Sequence, residues 1–301
     1  ILYANNQNVK YQYDRFNRNI KKEKTTGNIE FNYDAKSNLK TIKDNTTGIT
    51  TNYSYDLANR MTKAENNKGL TILYEYDDNS NINKTEYKLN DKTNIMNHNF
   101  DSDNNINSIL FNNSVVKINY DRLARGTSKN IINEKGTYTT QYEYKNTETP
   151  NKTTTILESI KNGNNEAIHY TYNNMGYIET IKNGNEFLAK YQYDGLGQLT
   201  REDNKEQEKT IIYEYDTGGN ILNKKEYAYT EGDITTQPTK VIEYIYNNAN
   251  WKDQLTTYNG KQITYDAIGN PLTYDGNTYT WQNGRELAGI QNTEKGLNIT
   301  Y

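Results

Sequence analysis

Aspartates stand at regular intervals along this chain, at Asp14, Asp34, Asp56, Asp77, Asp121, Asp194, Asp216 and Asp266. Carboxylates are common general acids and bases, but that work needs a specific partner and a shifted pKa. Here every Asp keeps the same local company. That favours one repeated structural role, in which the carboxylate accepts backbone N–H bonds where a turn begins. Asp101-Ser-Asp103-Asn-Asn105 imitates the start of a calcium loop. It places Ile106 and Asn112 where such a loop needs Gly and Glu, so a degenerate turn of the same series explains it better. His98 and His169 are the only histidines and sit in no ligand pattern. With no Cys and no Gly-x-Ser-x-Gly, a nucleophilic triad has nothing to build on. Trp281 and Arg285, flanking Gly284, could stack on a ligand; an edge-strand core Trp and a solvated or seam-pairing Arg are the simpler readings. No catalytic residue, metal set or cofactor motif emerges.

The company each Asp keeps is the pattern Tyr-x-Tyr-Asp. It is whole where Tyr11 and Tyr13 precede Asp14, Tyr53 and Tyr55 precede Asp56, and Tyr74 and Tyr76 precede Asp77. It is whole again where Tyr191 and Tyr193 precede Asp194, and Tyr213 and Tyr215 precede Asp216. Relaxed copies are Phe31-x-Tyr33-Asp34, Ile118-x-Tyr120-Asp121, Tyr142–Lys145, Tyr170-x-Tyr172-Asn173, Tyr244–Asn247 and Ile263-x-Tyr265-Asp266. A return about every twenty residues marks an array whose units bury apolar surface against their neighbours.

Residues two apart share one face of a strand, so each aromatic pair predicts a strand running into a turn. Three residues past the Asp come Gly197, Gly219, Gly269, Asn17, Asn59, Asn104, Ser37 or Ser80. Gly and Asn tolerate the left-handed backbone that a type I turn with a bulge requires. An aliphatic follows, such as Leu39, Met61 or Leu199, and often a second three later, such as Ile42. In an unbroken strand those two would face opposite ways, so the spacing predicts a bulge or a two-faced strand. Asn162-Gly163, Asn183-Gly184 and Asn259-Gly260 mark hairpin turns at the other ends of the units. The expected fold is therefore all-β: one array over residues 1–301 of antiparallel hairpins in a single continuous spiralling sheet. Longer gaps, Tyr144 to Tyr172 and Tyr215 to Tyr246, are expected to hold extended loops.

Composition sets the thickness. Hydrophobic residues make up 33% of the 301, with Tyr alone at 29 positions, against the roughly 45–50% usual in globular domains. Abundant aromatics, periodic Ile and Leu, and three prolines argue against disorder. What remains is a thin, half-wetted wall, its rings packed, its phenol hydroxyls at water and its interior hollow. Net charge is −3 with both signs interspersed, which gives no basic stripe for nucleic acid, and no apolar run is long enough to span a bilayer. Both termini read as strands interrupted midway, so a segment of a larger protein is expected.

The unit Tyr-x-Tyr-Asp-x-x-Gly-Asn-Leu resembles the YD repeat of the Rhs family. Tyr213–Ile221, Tyr191–Leu199 and Tyr265–Leu272 are its nearest copies, and Tyr279-Thr-Trp281-Gln-Asn-Gly284-Arg285-Glu-Leu287 resembles a segment late in many Rhs shells. The resemblance covers nearly the whole chain. It implies a bacterial shell, related to toxin-complex shell subunits and teneurin barrels, wound from hairpins into a hollow cocoon. In bacterial members the cocoon encloses a C-terminal toxin, often released by self-cleavage near an Asp-Pro-x-Gly motif. No Asp-Pro occurs here, so no catalytic residue carries over.

The expected function is thus a non-enzymatic shell segment that encapsulates or presents a toxin or effector domain. Its partners would be the rest of the shell and that domain of the same polypeptide, with no cofactor. Its location would be secreted or at a bacterial cell surface. The competing reading is a cell-surface adhesin or carbohydrate-binding array whose aromatic rings stack on glycans. An unrecognised self-protease ranks third.

Overall fold

The computed structural model describes residues 1–146 and 153–301. Among them are 28 strands and no helix. Each strand but Lys261–Gln262 pairs antiparallel with the next in sequence, so the chain is one long meander. The first 23 strands, Lys10–Tyr13 through Lys261–Gln262, form one sheet, and the last five, Thr264–Tyr265 through Leu297–Thr300, form a second.

The expected all-β array of antiparallel hairpins is observed, its ladder interrupted once near the C-terminus. Residues 246–256 make an irregular segment around Trp251 instead of a strand, so Thr264–Tyr265 has no ladder partner on that side. The Tyr265 hydroxyl, donating to the Leu255 carbonyl at 2.6 Å, still crosses the break. The two long gaps differ. Residues 229–239 are an extended excursion, as expected, whereas the Tyr144–Tyr172 gap contains the ten-residue strand Thr153–Asn162. Residues 147–152 of that gap lie outside the described residues.

Every Asp turn carries a bulge, and the bulge resolves the spacing of the aliphatics. Tyr33 lies opposite Leu39 but Asn32 opposite Thr41, which leaves Lys40 as the extra residue. Phe31 then meets Ile42, so Leu39 and Ile42 share the face of Phe31 and Tyr33. The same one-residue shift recurs at Tyr55, Tyr76, Tyr193 and Tyr215. Aromatic and aliphatic side chains thereby form one stripe along the sheet despite a helix-like spacing in sequence.

The wall is thin. Accessible surface is 19686 Å², whereas a compact 35.0 kDa monomer would expose roughly 13,000 Å². Among the described residues the buried apolar side chains are Val9, Ala189, Ile211 and Ile242. The 229–239 excursion folds back onto the neighbouring strands. There the Arg201 guanidinium holds the carbonyls of Thr230 (2.9 Å) and Gly232 (2.8 Å), and the Thr210 hydroxyl lies between the Asp203 carboxylate and the Thr230 carbonyl.

The strip returns on itself. Asn5 Nδ2 donates to the Asp266 carboxylate at 2.8 Å. Gln7 is tied to the Trp281–Gly284 turn by two bonds of one side chain: its amide donates to the Trp281 carbonyl (2.8 Å) and its oxygen accepts from Gly284 N–H (2.6 Å). Thr25 N–H donates to Asn283 Oδ1 at 3.1 Å, and Lys24 pairs with Glu286 at 2.8 Å. These contacts join residues 258 to 277 positions apart, so the C-terminal sheet closes a circuit against the first turns.

Candidate functional site

The repeated turns lie along one rim of the strip, and each is built by its Asp. In Asp34, Oδ1 accepts N–H from Lys36 (2.9 Å) and Asn38 (2.8 Å), while Oδ2 accepts from the Asn38 amide (3.0 Å). Asp14, Asp56, Asp121, Asp194, Asp216 and Asp266 take the same pair of backbone donors, two and four residues on. Asp77 takes the donor four on at 2.9 Å. Asn173, in the relaxed copy after Tyr170 and Tyr172, uses its amide oxygen likewise. Asp101 does too, accepting from Asp103 (3.0 Å) and Asn105 (2.8 Å), so the calcium-like segment is one more turn of the series.

The third residue after the Asp is left-handed in each turn. Asn17, Ser37, Asn59, Ser80 and Asn104 have φ between 59° and 69°, and Gly197, Gly219 and Gly269 between 81° and 90°. Ala124, three after Asp121, adopts φ 57° with neither a polar side chain nor a missing Cβ to ease it.

The fourth residue was overlooked in the sequence. Arg18, Arg60 and Arg125 each donate Nε to their own Asp at 2.7 Å. Asn81, Asn220 and Asn270 do the same with amides at 2.8–3.0 Å. These side chains then reach the next turn: Arg18 to Ser37 Oγ (3.1 Å), Arg60 to Ser80 Oγ (3.0 Å), Asn38 to Asn59 Oδ1 (3.2 Å). The guanidiniums of Arg18, Arg60 and Arg125 also cover the rings of Tyr33, Tyr76 and Tyr144 at 4.5–4.7 Å. The signal was present as Arg or Asn recurring four residues after Asp.

In most units the second aromatic does not leave its hydroxyl at water, which corrects the sequence reading. Tyr33, Tyr55, Tyr76, Tyr120, Tyr172, Tyr193, Tyr215 and Tyr265 donate to backbone carbonyls of the preceding hairpin, at 2.6–2.9 Å. A buried phenol needs an acceptor, and these carbonyls supply it. Burial pushes the phenols of Tyr55, Tyr172, Tyr193 and Tyr215 above their ordinary 10.0. Trp281 occupies the same place in its unit, with Nε1 donating to the Pro271 carbonyl at 2.7 Å. Tyr13, in the first unit, is exposed. The first aromatics Tyr11, Tyr53, Tyr74, Tyr170 and Tyr191 are half-buried on the shared stripe, and Tyr213 is pushed up to about 12 by burial, with Glu202 beside it.

Electrostatics assign these carboxylates a structural duty. The Arg18 side chain holds Asp14 below its ordinary 3.8, Arg125 does so for Asp121, and the amides of Asn81 and Asn220 do so for Asp77 and Asp216. A general acid or base at neutral pH needs the opposite shift. Among the described residues no group of three or more His, Asp and Glu could hold a metal ion. His98 lies within a strand opposite Ile109, and His169 opposite Ser159 and Lys182. Gly284 (φ 90°) has the Tyr3 ring where a Cβ would stand, and Arg285 is exposed. A hollow of about 360 Å³ in the C-terminal sheet is lined by Ile263, Tyr265, Tyr274, Tyr279, Trp281 and Leu287 among others.

No protein-family model and no curated protein matches the chain. Among solved structures it is similar to a chain of the Photorhabdus luminescens Tc holotoxin pore, at 14% identity and TM-score 0.44, covering 94% of this chain and 19% of that one. It is also similar to a chain of the TcdB2–TccC3 crystal structure, at 12% identity and TM-score 0.39, covering 98% and 22%. A porin-like protein from Bacteroides uniformis aligns at 11% identity and TM-score 0.28, covering 74% and 89%. The chain spans about a fifth of the length of the two toxin-complex chains. TM-scores this low carry no inference about function.

Proposed function

We propose that this chain is a non-enzymatic wall: a segment of an Rhs/YD-repeat shell that encapsulates or presents a toxin or effector domain of the same, exported bacterial polypeptide. The observation that carries the reading is the ratio of surface to mass. A strip with four buried apolar residues among those described gains nothing as a catalyst's scaffold and much as an enclosure. Its hydrogen-bonded ladder bars passage of a polypeptide, and its polar faces keep the wall wetted on both sides. The regular turns supply curvature, and the ionised, fully bonded Asp caps fit a structural role.

Small-angle scattering of the purified chain tests this. The expected result is a radius of gyration well above the roughly 19 Å of a compact 301-residue globule, with a distance distribution skewed toward long vectors. A solid particle of minimal radius would end the enclosure reading.

The aromatic hollow around Trp281 supports a second reading, a glycan-binding surface. Tyr274 and Tyr279 bring phenol rings to its lining, and rings that can stack beside hydroxyls that can bond suit a sugar. A glycan screen with Trp281→Ala as control separates the two: Trp281-dependent binding favours the adhesin, and no binding favours the wall.

A further inference from the structure

At the seam an amine and a carboxamide meet on one carboxylate. Lys24 Nζ stands 2.8 Å from Glu286 Oε1 and 3.1 Å from Oε2. The Asn283 amide nitrogen donates to the same Oε2 at 2.9 Å. Glu286 thus holds Lys24 and Asn283 side by side, although they belong to opposite ends of the chain.

The Asn283 carboxamide is held as an electrophile. Its oxygen accepts from Thr25 N–H at 3.1 Å and from the Thr25 hydroxyl at 3.0 Å. Two such donors stabilise the charge that grows on oxygen when the carbonyl carbon is attacked. The residue is 4% exposed, and its nitrogen also donates to Thr26 Oγ1 at 3.2 Å. Lys24 keeps 19% of its side chain exposed, the least of the ion-paired lysines among the described residues. The usual attacker of an Asn-Gly amide is the glycine nitrogen, but Gly284 N–H is committed to Gln7 Oε1 at 2.6 Å. Burial pushes the Glu286 carboxyl up, yet Lys24 holds it below its ordinary 4.5, with Asn283 and Lys22 adding to the pull. Glu286 is therefore ionised at rest and free to take a proton from the Lys24 ammonium.

We propose that the folded chain joins Lys24 to Asn283 through an isopeptide bond, with Glu286 as the proton carrier. Glu286 takes a proton from the ammonium, and the freed Nζ attacks Asn283 Cγ. The Cγ–Nδ2 bond then breaks. Nδ2 leaves as ammonium, carrying two protons that began on Nζ, one of them by way of Glu286, whose carboxylate is restored. The reaction happens once per chain and is driven by proximity. It ties the C-terminal sheet covalently to the first hairpins, and a cross-link that closes so long a loop constrains the unfolded chain strongly. Lys225, Glu214 and Asn223 repeat the trio, with the Asn223 amide 2.9 Å from the carboxylate. Asn223 is only half-buried, and its oxygen accepts no such pair of donors among the described residues, so no link is expected there. The inference rests on the seam and on no enclosed cargo, so it can fail while the enclosure reading stands.

Intact-mass spectrometry of the full chain tests it. The expected mass is one ammonia, about 17 Da, below that of the sequence. Trypsin should release a branched peptide joining residues 23–36 to residues 262–285. Lys24→Arg and Glu286→Gln, each with unchanged circular dichroism, should restore the full mass and remove the branch. Three outcomes overturn the proposal: the full sequence mass in the unaltered chain, a deficit that survives in Lys24→Arg and so marks a succinimide at Asn283, or a branch that persists in Glu286→Gln. The unaltered chain decides the matter even where a variant fails to fold.

Discussion

Ala124 is the residue at which the repeat's chemistry fails and its geometry persists. Among the described residues ten turns share one backbone path, and at nine the left-handed position holds Gly, Asn or Ser. At Ala124 the neighbouring bonds of Asp121 hold a φ of 57° that the residue itself disfavours. A left-handed L-residue costs about 1–2 kcal/mol, of which part returns as glycine's greater chain entropy. Ala124→Gly should therefore raise stability by about 1 kcal/mol in urea titration, while the same change at Asn59, whose side chain accepts from Asn38, should not. This is also the level at which the sequence was least complete. Asp, Gly and Asn announced their turn roles because those depend on local backbone. The phenol–carbonyl bonds and the Arg bridges were hidden, because their partners lie about fifteen to twenty residues away in a neighbouring hairpin.

A hairpin is held at one end by an ionised cap and at its centre by a narrow apolar stripe. The caps at Asp14, Asp77, Asp121 and Asp216 titrate below their ordinary 3.8 in the folded chain. A depressed folded pKa contributes stability above the unfolded value and loses it as pH falls through the folded one. The urea midpoint should hold steady from neutral pH to about pH 5 and then fall steeply below about pH 4, as several caps protonate over one window. A midpoint unchanged down to about pH 3 would remove the caps as a source of stability. Strand existence, antiparallel order and the Asn-Gly turns were legible because they follow from period and turn chemistry. The choice between bulge and two-faced strand was not, since Leu39 and Ile42 have one spacing under either, and the cross-strand register decides.

For the molecule as a whole the seam is the decisive feature. Gly284 accommodates the Tyr3 ring 2.4 Å from where a Cβ would be, and its φ of 90° disfavours any side chain. Gly284→Val should part the C-terminal sheet from Tyr3–Gln7, at a cost of about 2 kcal/mol or more. Scattering should report a larger maximum dimension, with the β-sheet circular dichroism retained. An unchanged envelope would mean that the circuit is held elsewhere, for example by Lys24 and Glu286.

The hairpin, its aromatic face, its Asp-capped turn and the thinness of the wall could all be read from the residues in order. Each depends on composition or on residues within a few positions of one another, where backbone preference and period suffice. Where the sheet breaks, how the phenols are satisfied and which rim closes on which emerged only once the chain was folded. Those outcomes depend on twist accumulated over many strands, and on contacts between residues some 260 positions apart whose types carry no mark of one another.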